Sequence, residues 1–255
     1  MQTNSQKVAG IRGSAGALMS LLFPNRCSFC GETLNCGACI CDDCLSRLEI
    51  IHNTMCLRCG APAMRAPQRC EQCADLQFRF GRNVSLGAYE GMLRRLVHLF
   101  KFEGRWALYM LFGQLLVEHR QVYIVRYDLL VPVPLTPARF SERGFNQSVL
   151  TARSVAGIMH VPPVRRALER RGNAPPQSSI QSAGQRVKNV TDRFTVRDRF
   201  EPLVRKKRVL LVDDVLTTGA TASAAAEALY RSGASAVDVL TVARALKAPG
   251  ALYHS

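Results

Sequence analysis

Thirteen residues near the C-terminus, Val209 to Thr221, read VLLVDDVLTTGAT and leave the chain few ways to fold. Four consecutive apolar residues, Val209 to Val212, suit a short strand buried on both faces, as in a parallel sheet covered by helices. Asp213 and Asp214 are expected to end that strand, and Thr217-Thr218-Gly219-Ala220-Thr221 then leads into an alanine-rich helix from Ala222 to Arg231. A strand, a tight loop and a helix in that order aim backbone N–H groups and a helix N-terminus at one point, which suits a phosphate. Gly219 lets the backbone turn close to the anion, and the threonine hydroxyls add donors. The two carboxylates are acceptors suited to the vicinal hydroxyls of a ribose or, through water, to a magnesium ion. A strand ending in acids also occurs in P-loop ATPases, but the GxxxxGKS/T loop that accompanies it there is missing from this sequence.

The ten cysteines impose a second constraint. All lie between Cys27 and Cys73, and the 182 residues that follow contain none. They form five Cys-x-x-Cys pairs: Cys27/Cys30, Cys36/Cys39, Cys41/Cys44, Cys56/Cys59 and Cys70/Cys73. Shifting Cys27, Cys30, Cys41 and Cys44 by 29 residues gives Cys56, Cys59, Cys70 and Cys73, and glycine follows both leading pairs, at Gly31 and Gly60. Each turn directs two thiolates at one ion, and two turns complete the closed tetrahedral set of a structural zinc site. The simplest assignment is one zinc on Cys27, Cys30, Cys41 and Cys44 and another on Cys56, Cys59, Cys70 and Cys73. Spacing alone leaves interleaved pairing open. Cys36 and Cys39 fall outside the period. Such x-x spacing is poor geometry for structural disulfides, and a small segment with few large apolar residues needs a staple to fold.

These two features divide the chain into an N-terminal cysteine module, residues 1–78, and an α/β domain, residues 79–255. In the second part a strand over Asn83–Ala88 precedes helices over Met92–Phe100 and Trp106–Arg120. A strand over Asp128–Val131, a helix over Asn146–His160 and the segment above follow, and a strand over Val237–Val242 closes the alternation. That order implies a parallel sheet with ligands beyond the carboxyl ends of its strands. The five histidines are scattered and receive no metal or catalytic role.

The formal charge of +15 is concentrated: residues 139 to 208 hold 16 Lys and Arg against 5 Asp and Glu. A polyphosphate or nucleic-acid contact and a solvated basic face both account for such a cluster. No run approaches the roughly 18 to 20 apolar residues of a membrane span, so no membrane insertion is expected. Lys7 and Arg12 precede a short apolar run, Ala15 to Phe23, without the small-residue cleavage pattern of an export signal. A short amphipathic helix ending before Pro24 is expected there, in a cytoplasmic protein.

The segment Val209 to Thr221 resembles the phosphoribosyl-pyrophosphate motif of type I phosphoribosyltransferases, and the chain from about Phe23 to Leu246 resembles the ComF family of competence-associated, phosphoribosyltransferase-like proteins. Besides the cysteine knuckles, the resemblance rests on Lys101-Phe102-Glu103-Gly104-Arg105, Val131-Pro132-Val133-Pro134-Leu135 and Arg143-Gly144-Phe145-Asn146-Gln147. Pro176-Gln177 and Arg186-Val187-Lys188-Asn189-Val190, leading to Phe194, complete it. It implies a type I phosphoribosyltransferase sheet behind a double zinc ribbon. Asp213 and Asp214, the catalytic pair, would contact the ribose hydroxyls, and Thr217, Thr218, Gly219, Ala220 and Thr221 would cradle the 5′-phosphate. Pro132, Val133 and Pro134 would form the pyrophosphate turn with Arg139 and Arg143 nearby, and the stretch from Arg165 to Asn189 would be a lid. Lys101 and Arg105 serve equally well as a charged helix end. The reaction implied is displacement of pyrophosphate from phosphoribosyl pyrophosphate by a nitrogen nucleophile, with Mg2+ on the leaving group. Association with DNA uptake or recombination proteins is implied as well. The alternative is a non-catalytic protein that binds single-stranded DNA through the same pocket.

Overall fold

A computed structural model describes residues 26–34, 38–50, 55–63, 68–120, 125–170 and 193–246. The helix expected before Pro24, Cys36, and residues 171–192, which include most of the lid expected over Arg165 to Asn189, lie outside these. The chain divides into two compact units, Met1–Leu48 and Glu49–Ser255. The boundary drawn from the sequence after residue 78 would group the second cysteine set with the first; the compact units divide thirty residues earlier.

Within the smaller unit the first knuckle is a tight turn in which the Gly31 amide donates to the Cys27 carbonyl (3.0 Å) and the Cys27 amide to the Glu32 carbonyl (2.7 Å). Arg26 bridges Thr33 across it. Cys41 caps a short helix, α1 (Asp42–Ser46), its sulfur accepting from the Cys44 amide. The second knuckle repeats these bonds 29 residues later: Gly60 to Cys56 (2.9 Å), Cys56 to Ala61 (2.9 Å), and a bridge between Met55 and Pro62. The sequence period is therefore a period of backbone hydrogen bonds.

The larger unit is built on four parallel strands in the order β1-β6-β5-β2: β1 (Asn83–Ala88), β2 (Leu129–Pro132), β5 (Arg208–Leu216) and β6 (Ala236–Arg244). Between them run α2 (Gly91–Phe102), α3 (Leu108–Arg120), α4 (Pro137–Arg143) and α5 (Gln147–Met159), then an antiparallel pair, β3 (Leu168–Arg170) and β4 (Phe194–Val196), a short α6 (Glu201–Val204), and α7 (Ala220–Arg231). Leu93, Leu96, Val97 and Phe100 form one buried stripe of α2, with Arg94, Arg95 and His98 turned outward. Ala222, Ala225, Ala226 and Leu229 let α7 lie close to the sheet. Those residues share a core with Val131, Val209, Leu211 and Val239 and, from the second knuckle onward, with Cys56, Cys59, Cys73, Phe78 and Phe80. Alternate residues such as Leu130 and Leu210 are fully buried but lie outside this cluster, as the period of a strand covered on both faces requires.

One expectation needs correction, and one element goes beyond those read from the sequence. Strand β5 does not stop at the acids but continues to Leu216, because β6 runs beside it in unbroken register from Arg208↔Ala236 to Leu216↔Arg244. Residues 137–143 are a helix: the Thr136 hydroxyl accepts from the Arg139 amide, Pro137 occupies the first turn, and Gly144 closes the end with φ 74°.

Candidate functional site

The acids lie near the carboxyl end of β5, where α2 and α5 meet it. Ser148, in the first turn of α5, donates its hydroxyl to Asp213 Oδ1 (3.1 Å), and the Asp214 amide donates to the same oxygen (2.9 Å). Asn146 sets that turn by accepting from the Ser148 and Val149 amides, while its own Nδ2 donates to the Val133 carbonyl (3.0 Å). One residue thus ties the Pro132-Val133-Pro134 turn to the helix facing the acids. Val133 is also held by its amide on the Val212 carbonyl (2.9 Å).

Asp214 receives two cations. Lys101 Nζ, in the last turn of α2, lies 2.8 Å from its Oδ2, and Arg143 Nη1 lies 4.0 Å away. Their side chains are 13% and 8% exposed, so these are buried pairs. The Arg143 guanidinium also donates to Gln147 Oε1 (3.1 Å) and sits 4.9 Å from the centre of the Phe102 ring. Arg143 Nε, Gln147 Nε2 and Thr151 Oγ1 are buried without a partner among the described residues. Burial, and then the charge of Asp214, push the Asp213 carboxyl up to about 7, against the Asp214 amide, Lys101 and Ser148. Burial lowers Arg170 at the end of β3, as do the neighbouring cations Arg193 and Arg139, with Asp213 opposing. Arg170 thus feels the like charges of Arg139 and Arg193 and the opposite charge of Asp213, a repulsion that a polyanion would relieve.

Beyond the acids the chain turns through Thr217, Thr218 and Gly219 into α7. Gly219 has φ 80°, and a Cβ there would overlap the Phe78 ring, so glycine is required twice over. No side chain caps this helix N-terminus, although the Ala220 amide reaches Thr218 Oγ1 (3.3 Å). Thr217, Thr218 and Ala220 are exposed. The structure thus brings together Asp213, Asp214, Arg143 and the turn at Val133. Arg139 is exposed on α4, and its amide bonds Thr136. Sequence reasoning left Lys101 as a helix end and passed over Ser148 and Gln147. The signal for Ser148 was Asn146, a capping residue that places the second residue after it in the helix's first turn.

Both cysteine groups suit zinc. In each, four sulfurs lie within 4.8 Å of one another, and the sets are Cys27, Cys30, Cys41, Cys44 and Cys56, Cys59, Cys70, Cys73. Sulfur pairs are 3.6 Å apart (Cys30 and Cys41; Cys59 and Cys70) and 3.8 Å apart (Cys56 and Cys73), too far for disulfides. Amides of Phe29 and Cys41 point at Cys27 Sγ, as they would toward a metal-bound thiolate. Cys39 belongs to neither set, and burial pushes its thiol up to about 11.

Comparison with known proteins agrees with this geometry. Residues 18–74 match the double zinc ribbon domain, and residues 147–254 match the phosphoribosyl transferase domain. The chain is 32% identical to DNA utilization protein YhgH of Escherichia coli K12, covering 89% of this chain and all of that protein. It is 28% identical to competence protein ComFC of Streptococcus pneumoniae, over 86% of this chain and all of the relative. With ComFC of Bacillus subtilis it shares 29% identity over 80% of this chain and 84% of that one. No helix among the described residues is long and apolar enough to cross a membrane.

Proposed function

The chain belongs to the ComF family, and from that membership we propose that its α/β unit binds phosphoribosyl pyrophosphate in a cytoplasmic protein serving DNA uptake or processing. The observation that carries this reading is the acid pair Asp213 and Asp214 beside an uncapped helix N-terminus, with exposed Thr217 and Thr218 between them. In this reading the two carboxylates hold the ribose hydroxyls. The loop 217–221 takes the 5′-phosphate through backbone N–H groups and hydroxyls. Lys101 and Arg143 hold Asp214 in ion pairs until the ribose arrives, and then supply positive charge to the ligand.

The pyrophosphate would lie toward the turn at Pro132-Val133-Pro134 and the cations Arg139, Arg170 and Arg193, whose mutual repulsion it relieves. Asp213 and Asp214 suit magnesium only through water, because Asp214 already carries Lys101 at 2.8 Å. Magnesium would come with the pyrophosphate and neutralise it as a leaving group. For an attacking nitrogen, the chain's own work is positioning and charge stabilisation: the C1–O bond to pyrophosphate breaks, the C1–N bond forms, and no side chain becomes a covalent intermediate. Structural zinc in the two four-thiolate sets supplies folding energy rather than chemistry.

Calorimetric titration with phosphoribosyl pyrophosphate and magnesium tests the binding, and pyrophosphate release over a panel of nitrogen bases tests turnover. Saturable binding without release supports the second reading, a phosphoribosyl pocket used for binding alone. The gathering of Arg139, Arg170 and Arg193 favours single-stranded DNA as a partner of that pocket. Absence of any heat of binding removes the first reading.

A further inference from the structure

Arg244, the last residue of β6, is fully buried, and only part of its guanidinium is used. Nη1 donates to the carbonyls of Leu216 (3.0 Å) and Thr217, the residues entering the phosphate loop, and to that of Ala245 just after β6 (2.6 Å). Nε and Nη2 have no partner among the described residues. A buried cation needs a counter-charge, and leaving it without one is strongly unfavourable. Among the described residues no carboxylate pairs with it, and the three carbonyls are what meets its charge.

The second knuckle reaches the same loop by direct contacts. Arg58, inside the second knuckle, donates to the carbonyls of Phe78 (2.7 Å), Phe80 and Gly81. The Phe78 ring fills the space where a Cβ on Gly219 would lie, and the next residue's amide reaches Ser223 Oγ in the first turn of α7 (3.3 Å). On its far side the knuckle is fixed to the sheet, since Asn83 Nδ2 donates to the Cys59 carbonyl (3.1 Å).

We propose that the second cysteine group and the phosphate loop form one cooperative element. Phe78 transmits zinc occupancy of Cys56, Cys59, Cys70 and Cys73 to the loop 217–219, whose entry Arg244 holds. The two groups then differ in role despite their common repeat: loss of the second zinc, by chelation or thiol oxidation, opens the phosphate loop, while loss of the first leaves it intact. Arg244 is a positioning residue in this scheme. The loop's part in ligand binding rests on the phosphoribosyl reading above; the coupling between zinc and loop does not.

The test compares full-length Cys70→Ser, Cys30→Ser and Arg244→Lys with the wild type by amide hydrogen exchange across residues 216–221 and by titration with phosphoribosyl pyrophosphate and magnesium. Loss of the second zinc should speed exchange there and weaken binding, each by about tenfold or more, whereas loss of the first should change neither by more than about twofold. Arg244→Lys, which keeps the charge but fewer donors, should fall between. Equal effects of Cys30→Ser and Cys70→Ser, or unchanged exchange in Cys70→Ser, overturn the proposal. If the wild type binds no ligand, the phosphoribosyl reading fails and the exchange result still decides the coupling. Should Cys70→Ser not fold, stepwise zinc removal from the wild type by a chelator decides: amide exchange across residues 216–221 must speed up with the loss of one of the two zinc ions and not the other. Exchange there that is unchanged after both zinc ions have left overturns the proposal.

Discussion

Replacing Asp213 with Asn should stabilise the ligand-free protein by an amount that grows as pH rises from about 4 to about 7 and then levels off. Ser148 and the Asp214 amide both donate to Asp213 Oδ1, so the single carbonyl oxygen of Asn can accept both bonds. What the substitution removes is a buried charge facing a second carboxylate. Burial and Asp214 raise the folded-state pKa from 3.8 to about 7. The folded protein therefore holds this proton more tightly than the unfolded chain, and wild-type stability falls as pH rises through that window. At about 1.4 kcal/mol per pH unit, the relative gain of Asp213→Asn is about 2 kcal/mol near pH 5.5 and about 4 kcal/mol near pH 8.5. For a domain of this size that is roughly 10 °C in Tm at the higher pH. Urea unfolding of both proteins at the two pH values, zinc kept saturating, measures the difference. An Asn variant that is less stable at both values, or whose advantage does not change with pH, refutes the idea that this carboxylate is held charged at a cost.

Other consequences are as specific. Gly219→Ala should cost about 2 kcal/mol or more, from the positive φ and the Phe78 ring, and should abolish phosphoribosyl binding. Gly157→Ala, on α5 with open space around it, should add about 0.5 to 1 kcal/mol in the same thermal assay. Native mass spectrometry should find two zinc ions, and Cys39→Ser should leave both, since Cys39 belongs to neither set. Single-stranded DNA binding, if the basic stretch carries it, should weaken with salt at a log-log slope of about −0.7 per phosphate, and charge reversal at Arg205, Lys206, Lys207 and Arg208 should flatten that slope.

How far the sequence could be read depends on whether a feature was local. Strand β1 was legible to its ends, Asn83 and Ala88, and the zinc sets were legible because a 29-residue period is a local fact repeated. The extension of β5 past the acids was not, because it depends on β6 running alongside to Arg244. The helix over 137–143, to which the sequence reading assigned no element, had signals in Thr136, Pro137 and Gly144. Lys101 was ambiguous in sequence, since a cation suits a helix end anywhere; only the packing of α2 on β1 and β6, beside β5, brings its ammonium to Asp214. Least legible was the difference between the two knuckles. Their internal hydrogen bonds repeat, and what sets the second apart is long-range: Asn83 on Cys59, Arg58 on the backbone before β1, and a shared core with α7.

The central claim is that the loop and acids at the end of β5 form a phosphoribosyl pyrophosphate site. Thermal unfolding with and without phosphoribosyl pyrophosphate and magnesium, on the wild type and on Asp213→Asn with Asp214→Asn, tests it most directly. A ligand that binds only the folded state adds about 2.7 kcal/mol at a hundredfold excess over Kd. The wild type should therefore shift upward by several degrees. The double variant should stay folded, keep its zinc and show no shift. A wild type that does not respond, or a double variant that shifts equally, would contradict the account.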